Sequence, residues 1–288
     1  MKTITVTGAT GNVGSALIPL LSQAGATVRA ITRSPDRLPA SESKIVVVEA
    51  DLADTNAWQD ALLNVDALFL LTSGSPTMDA LQNKVIEAAQ QQKVPLIVKQ
   101  SAFGAAAEAP VALFRMHHAI EETLKASGIP YCILQPNSFT QNLLAHAQSV
   151  KEQGAIYAPR GEGKVSNVDV RDVARVATTV LLADSTAHQG QTYVLTGPAA
   201  TSMQQDADTI GQVIGKEVNY YPVSYEDGKQ AMRGFGMDEW LVDELIAIAR
   251  LGAEGKAATV TSDVETVTEK PARTVEETIR DLKAVFQE

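Results

Sequence analysis

Cysteine, aromatic rings and long apolar runs are all scarce in this chain, and each shortage excludes something. A single cysteine, Cys132, among 288 residues cannot close an internal disulfide, so the fold has to rest on its core. The longest wholly apolar stretches are as short as Ala67 to Leu71 and Ile45 to Val48, whereas a helical membrane span needs about 20 such residues in succession. Residues 1 to 6 read as the start of a strand, without the apolar stretch and small-residue cleavage site of a secretory signal. The expected setting is cytoplasmic, with no membrane partner. Four histidines and one cysteine without ligand spacing give no expectation of a metal site. At 5% aromatic content, only Phe139, Tyr157, Phe235 and Trp240 stand out as rings able to stack on a flat ligand.

Positive charge is also in deficit. The chain has 24 Lys and Arg against 34 Asp and Glu, a net charge of −10, so it lacks the broad basic surface of a nucleic-acid binder. The deficit is uneven: residues 1 to 225 carry 16 basic and 20 acidic groups, and residues 226 to 288 carry 8 and 14. No carboxylate precedes Asp36, while Lys2, Arg29 and Arg33 do.

What is present is an alternation of short β-branched runs with helix-period segments, the mark of a parallel sheet built from βαβ units. Strands are expected at Thr3 to Thr7, Thr27 to Ile31, Ile45 to Val48, Ala67 to Leu71, Leu96 to Lys99 and Tyr131 to Leu134, with helices near 12 to 24, 55 to 63, 78 to 92 and 112 to 127. Beyond Pro136 the alternation loosens into helices near 139 to 151 and 170 to 183 and a strand Gln191 to Leu195. Thr201 with Gln204, and Thr274 with Glu277, have capping-box spacing and predict helices over 202 to 214 and 275 to 287. Helices near 225 to 252, with Gly234 and Gly236 as bending points, are expected to form a lid, and Gly252 to Arg273 a loop. The expected fold is α/β: a Rossmann-type doubly wound parallel sheet over residues 1 to 136, then a smaller C-terminal α/β substrate-binding region over 137 to 288. Segments near 165 to 198 are expected to return to the main sheet.

Strand Thr3 to Thr7 runs into Gly8-Ala9-Thr10-Gly11-Asn12-Val13-Gly14 and then an apolar helix. Gly8 permits the tight turn, Gly11 lets the backbone approach a pyrophosphate, and Gly14 lets helix and strand pack closely, with helix N–H groups aimed at anionic oxygens. A carboxylate ending the second strand would select NAD, and a cation would select NADP. The residues there are Thr32-Arg33-Ser34, with Arg37 nearby, so the expectation is NADP(H), consistent with the local excess of positive charge. Asp51 and Leu52 follow the third strand, where they either line an adenine or cap a helix. Leu71, Thr72 and Ser73 end the fourth strand, at the carboxyl edge where a dinucleotide's ribose would lie.

TGATGNVG, Arg33, Glu49-Ala50-Asp51-Leu52, the block HHAIEETLKASGIPYCILQPNSFTQN, VSNVDVRDVA and YVLTGP together resemble the NmrA-like group of atypical short-chain dehydrogenases/reductases over nearly the whole chain. The group includes NADPH-dependent quinone reductases, triphenylmethane-dye reductases and NADP-sensing regulators. Standard short-chain dehydrogenases carry a Tyr-x-x-x-Lys pair on the helix after the fifth strand and a serine at that strand's end. Ser101 fits the serine, but the alignment puts Leu113 at the tyrosine position and His117 at the lysine position. Tyr225 and Lys229 have the right spacing but lie far outside that context. The resemblance implies that His117 lies near the nicotinamide ribose, Pro136 and Asn137 beside the nicotinamide, and Phe139 and Asn142 toward substrate.

A missing acid matters most for ketones, whose alkoxide must be protonated as hydride arrives. Quinones, azo compounds and cationic dyes ask less, because the product anion is delocalised or the product neutral. The expected activity is therefore direct, flavin-free hydride transfer from NADPH to a conjugated acceptor, by a monomer or homodimer. The alternative is a non-enzymatic NADP(H) sensor acting through a protein partner.

Overall fold

Elements follow one another as β1 (Thr3–Val6), α1 (Asn12–Gln23), β2 (Thr27–Thr32), β3 (Ile45–Glu49), α2 (Thr55–Trp58), β4 (Ala67–Leu70), α3 (Met78–Gln91), β5 (Ile97–Gln100), α4 (Ala112–Ala126), β6 (Tyr131–Pro136), α5 (Ala147–Gln153), β7 (Ala155–Ala158), β8 (Lys164–Val165), α6 (Val170–Leu182), β9 (Thr192–Leu195), β10 (Thr201–Ser202), α7 (Met203–Ile214), β11 (Asn219–Pro222), α8 (Tyr225–Gly234), α9 (Glu239–Ala253), α10 (Asp263–Thr268), α11 (Val275–Asp281) and α12 (Lys283–Gln287). They belong to a computed structural model that describes residues 1–38, 44–184 and 186–287.

Seven strands form one sheet in the order β3-β2-β1-β4-β5-β6-β9. Pairing is parallel, with Thr3 opposite Thr27 and Ile4 opposite Ala67 on the two sides of β1. At the far edge the bonds from Ile133 N to Gln191 O and from Asn137 N to Leu195 O advance in step, as parallel strands do. Every residue of β4 and of β5 is buried. Helices cover both faces, so these strands have no solvated side; β4 reads as a continuous apolar run, whereas β5 ends in the buried Lys99 and Gln100. On one face Leu68, Leu70 and Ile97 meet Met78, Val85 and Ile86 of α3 and Ile120 and Leu124 of α4. On the other, α1 packs on α6 and α6 on β4 and β5. The strand order turns back at β1, between β2 and β4. In open sheets of this kind, the carboxyl ends at such a point form the ligand crevice.

The chain divides into two compact units. The first holds Met1–Ala109, Leu113–Gln135 and Val170–Val194, so it is not one continuous stretch ending near residue 136. The second holds Pro110–Ala112, Pro136–Asp169 and Leu195–Glu288. Its core joins Leu143, Val150 and Ile156 to Met203, Ala207 and Ile210 of α7, and Ile279 and Phe286 close it. Two small sheets, β11 with β7 and β10 with β8, complete this unit.

Three local expectations need correction. The capping box of α7 is Ser202 with Gln205, one residue beyond the predicted Thr201 with Gln204. Thr201 and Ser202 both pair in the β10–β8 ladder, and it is Ser202, the residue directly before α7, whose hydroxyl accepts from Gln205 N while Gln205 Oε1 accepts from Ser202 N. The second box, Thr274 with Glu277, forms as predicted, but α11 ends at Asp281 and α12 restarts at Lys283. The stretch from Gly252 to Arg273 is not all loop: α9 runs to Ala253 and α10 occupies Asp263–Thr268.

Within the second unit His146 is held at about 4 by burial and, second, by the charge of Arg160. An unfolded histidine protonates at its ordinary 6.5, so between 6.5 and about 4 the unfolded chain binds a proton that the native unit refuses. Stability therefore falls as pH falls through that window, by about 2 kcal/mol at pH 5 from this group alone. The decrease in urea midpoint from pH 7 to pH 5 is expected to be smaller in His146→Gln than in the wild type.

Candidate functional site

The first unit places the glycine turn at the carboxyl end of β1. Gly8 has φ +64°, and a Cβ there would meet Leu71 O at 3.0 Å and Leu71 Cγ at 3.1 Å. Gly11 N donates to Gly8 O at 3.0 Å, and Gly11 is the N-cap of α1 with no side chain capping it. The first turn of α1 carries no acidic residue, so the outward N–H groups at Asn12 and Val13 and the positive dipole end meet no carboxylate of that turn. Gly14 is the tightest position: a Cβ on it would lie 2.2 Å from Gly8 O and 2.9 Å from Ala9 Cα. Donor groups, charge and absence of side chains suit a pyrophosphate.

Around the turn lies a lattice of short polar contacts. Thr7 Oγ1 donates to Leu71 O at 2.7 Å, and Leu71 N donates back to Thr7 Oγ1 at 2.8 Å, which fixes the end of β4 against the end of β1. Buried Gln82 donates to Thr72 Oγ1 at 2.9 Å and holds the next residue of that edge, while Ser73 is exposed. Thr10 Oγ1 lies 3.4 Å from Thr32 Oγ1, which also accepts from Ser34 N at 3.0 Å. The end of β2 is thus hydroxyl-lined, with no carboxylate on it.

Arg33 follows with its side chain 72% exposed, and its Nη1 stands 3.9 Å from Asp51 Oδ2. Arg37 is exposed in the single 3-10 turn Pro35–Arg37. Lys2 and Arg29 are committed elsewhere. Lys2 donates to the Leu181 and Ala183 carbonyls at the end of α6. It precedes β1, while the glycine turn follows that strand, about 13 Å away at the usual strand rise. Arg29 donates to Ala61 O and Leu63 O. Of Lys2, Arg29, Arg33 and Arg37, the last two are the exposed ones. Asp51 accepts from Ala53 N at 2.8 Å, closing a turn, and the true cap of α2 is Asp54. Leu52 O accepts from the buried Trp58 indole at 3.2 Å, so that segment's backbone is anchored.

Between β5 and α4 lies a buried polar cluster. Ser101 donates its hydroxyl to Glu121 Oε1, and Gln135 Nε2 donates to the same oxygen at 2.9 Å. Lys99, with no exposed surface, reaches Gln100 O at 2.9 Å and His117 Nδ1 at 3.1 Å. Burial brings the Lys99 amine down to about 7, against the pull of the Glu121 carboxylate, which raises it. Burial, and then the Lys99 charge, holds His117 well below the ordinary histidine range, so its ring is neutral near pH 7. Leu113, four residues before His117, packs over Gly74, where a Cβ would meet its Cδ1 at 3.3 Å.

In the second unit Asn137 is fully engaged. Its amide donates to Ser166 Oγ at 2.8 Å and Ala257 O at 2.9 Å, and its oxygen accepts from Ser138 N. Pro136, just before it, is buried. Phe139 bridges to Val168, and exposed Asn142 donates to Ser138 Oγ at 3.2 Å. Tyr225 and Lys229 lie on α8 and serve its packing on α9: Arg250 stacks over the Tyr225 ring at 4.2 Å and Lys229 pairs with Asp243. Among the described residues, no group of three or more His, Cys, Asp and Glu is placed to hold a metal, and no helix is long and apolar enough to cross a membrane.

The family model described as NmrA-like matches residues 1–281. The chain belongs to the NmrA-like family. Among its relatives, an NAD(P)H azoreductase of Xenophilus azovorans is 34% identical over 98% of this chain and 99% of its own length. Among solved structures, the NADPH complex of an NADPH-dependent quinone oxidoreductase from Escherichia coli superposes with a TM-score of 0.86 at 29% identity, over 97% of this chain and 99% of that one. The NADP(H) complex of Citrobacter sp. triphenylmethane reductase gives 0.82 at 25% identity, again over 97% and 99%.

In this NmrA-like chain, sequence reasoning overlooked Lys99 and the buried role of Glu121. Both had a signal. A lysine inside an otherwise apolar central strand is rarely buried without purpose, and Glu121 stands four residues after His117, on the same helix face. Gly14→Ala is expected to cost about 1 to 3 kcal/mol in urea unfolding, because the backbone must give way. Ser15→Ala, next to it on the exposed side, should change stability by less than about 0.5 kcal/mol.

Proposed function

We propose that this chain is an NADPH-dependent reductase that passes hydride directly to a flat, conjugated acceptor such as a quinone, an azo compound or a cationic dye. The observation that carries the cofactor assignment is the uncapped N-terminus of α1 beside a β2 end with hydroxyls, Arg33 and no carboxylate. The backbone N–H groups at Asn12 and Val13 bind the pyrophosphate, Gly11 leaves room for its approach, and Arg33 with Arg37 meets a 2′-phosphate. When bound, the reduced nicotinamide supplies the hydride. Asp51 and Leu52 border the adenine, and Leu71 to Ser73 border a ribose. Ser101 and His117 are the first unit's residues for the reacting end, and the resemblance assigns Pro136 and Asn137 to the nicotinamide and Phe139 and Asn142 to substrate.

The acceptor class follows from α4. Leu113 occupies the position where short-chain dehydrogenases carry their tyrosine, and an apolar side chain gives no proton to an alkoxide. General acid catalysis contributes about 10²- to 10⁴-fold, so simple ketones are poor substrates without it. Acceptors whose reduced form is delocalised or neutral depend mainly on being held against the nicotinamide. The azoreductase, quinone oxidoreductase and dye reductase among the relatives support this choice.

Two measurements test the reading. Wild type should bind NADPH at least about tenfold more tightly than NADH, and Arg33→Ala should remove most of that preference, about 1 kcal/mol for one exposed charged contact. NADPH oxidation should proceed with quinones, azo dyes and cationic dyes and be at least about a hundredfold slower with simple ketones. Tight NADPH binding without turnover on any acceptor would transfer the assignment to an NADP(H) sensor.

A further inference from the structure

The reductase reading leaves one buried group unused. Lys99 is the penultimate residue of β5, so its amine lies at the carboxyl edge of the sheet, on the face covered by α4. A lysine with no exposed surface is costly unless its charge and its donors are used. Its carbonyl partner, Gln100 O, accounts for one donor, and His117 Nδ1, at 3.1 Å, takes another. Glu121 balances the charge nearby: its Oε1 accepts from Ser101 and Gln135, and its Oε2 lies 4.0 Å from Lys125 Nζ.

This geometry dictates the state of the histidine. At pH 6, below the Lys99 value of about 7, the amine is an ammonium that can only donate, so a ring nitrogen bonded to it must accept, and the single proton of the neutral imidazole is left on Nε2. His117 is 7% exposed, and Lys99 stands behind it. The ring is thus a donor at Nε2 with a proton source attached to Nδ1.

We propose that Lys99 is the positioning residue behind His117: it fixes the ring as a donor at Nε2 and replaces the proton that Nε2 gives to the reduced acceptor. The inference rests on the reductase reading above. In the step, hydride brings two electrons and one hydrogen to the acceptor and leaves an anion on oxygen or nitrogen. The Nε2–H bond breaks and an O–H or N–H bond forms on the acceptor. The Lys99 Nζ–H bond breaks as Nδ1–H forms, which leaves a neutral amine and a neutral ring carrying its proton on the other nitrogen. Nε2 then takes a proton from water while Nδ1 returns its own to Nζ, and the pair is reset. The missing tyrosine is thereby replaced by a weaker, two-residue source, enough for quinone and azo anions.

The acceptor classes provide an internal control, because a cationic dye needs a hydride and no proton to reach its neutral product. In wild type, quinone turnover should slow in D₂O while cationic-dye turnover does not; equal slowing of both, or of neither, overturns the relay. In Lys99→Met, an apolar replacement of similar length, the ratio of kcat for quinone to kcat for the dye should fall at least about tenfold, with the KM for NADPH unchanged. An unchanged ratio refutes the proposal.

The tautomer can be read without turnover. In ¹⁵N-histidine-labelled wild type at pH 6, the His117 signals, assigned by their loss in His117→Gln, should show a bare Nδ1 and a protonated Nε2. A protonated Nδ1 overturns the proposal even if Lys99→Met does not fold. If no acceptor is turned over, the reductase reading fails and the relay with it, whereas the wrong tautomer with normal turnover refutes the relay alone.

Discussion

The close approach of α1 to the end of β1 is the contact on which the rest of the first unit's carboxyl edge depends. Gly14 has no room for even a methyl group against the Gly8 carbonyl. That contact sets the direction in which the first N–H groups of α1 point, and the uncapped Gly11 leaves them available. The reciprocal bonds of Thr7 with Leu71 then bring the end of β4 to the same place, on the other side of the sheet's reversal point. A binding surface assembled from backbone groups is rigid because the sheet holds it, and it is indifferent to most side-chain changes around it.

Electrostatics divides the neighbourhood into two regimes. At the end of β2, Arg33 is exposed and only loosely associated with Asp51 at 3.9 Å. Solvent weakens such a pair, so the arginine is held only loosely. Between β5 and α4 the opposite holds. Lys99, His117 and Glu121 are buried, and each is anchored by a fixed hydrogen bond. Low dielectric makes the placement of each proton there a matter of geometry.

The second unit spends its polar groups differently. Asn137, Ser166 and the carbonyls of Ala257 and Thr259 form one tether that joins the end of β6 to a segment more than a hundred residues on. Thr278 donates to Asp169 at 2.7 Å in a buried bond and anchors α11 in the same way. Long separations in sequence become short distances, and no local pattern around Asn137 announces its partners. Tyr225 and Lys229 make the converse point: a catalytic spacing in the sequence proves to be ordinary helix packing.

The sequence by itself determined the βαβ alternation, the glycine turn, the carboxylate-free end of β2 and the capping box at Thr274, because each depends on residues near one another in the chain. The choice of Ser202 over Thr201 as a cap needed the tertiary structure, since Thr201 with Gln204 and Ser202 with Gln205 have the same spacing and only the start of α7 separates them. So did the membership of the first unit, which takes Val170–Val194 from the segment expected to return to the sheet and leaves Val165–Asp169 and Leu195–Pro198 to the second unit. A lysine in a central strand and a glutamate four residues after His117 were signals of burial, but the Lys99–His117 bond and the bonds of Ser101 and Gln135 to Glu121 Oε1 were not legible in them. Which of several buried polar groups meet, and which proton each then holds, is set by strand register and helix rotation, and the fold as a whole fixes both.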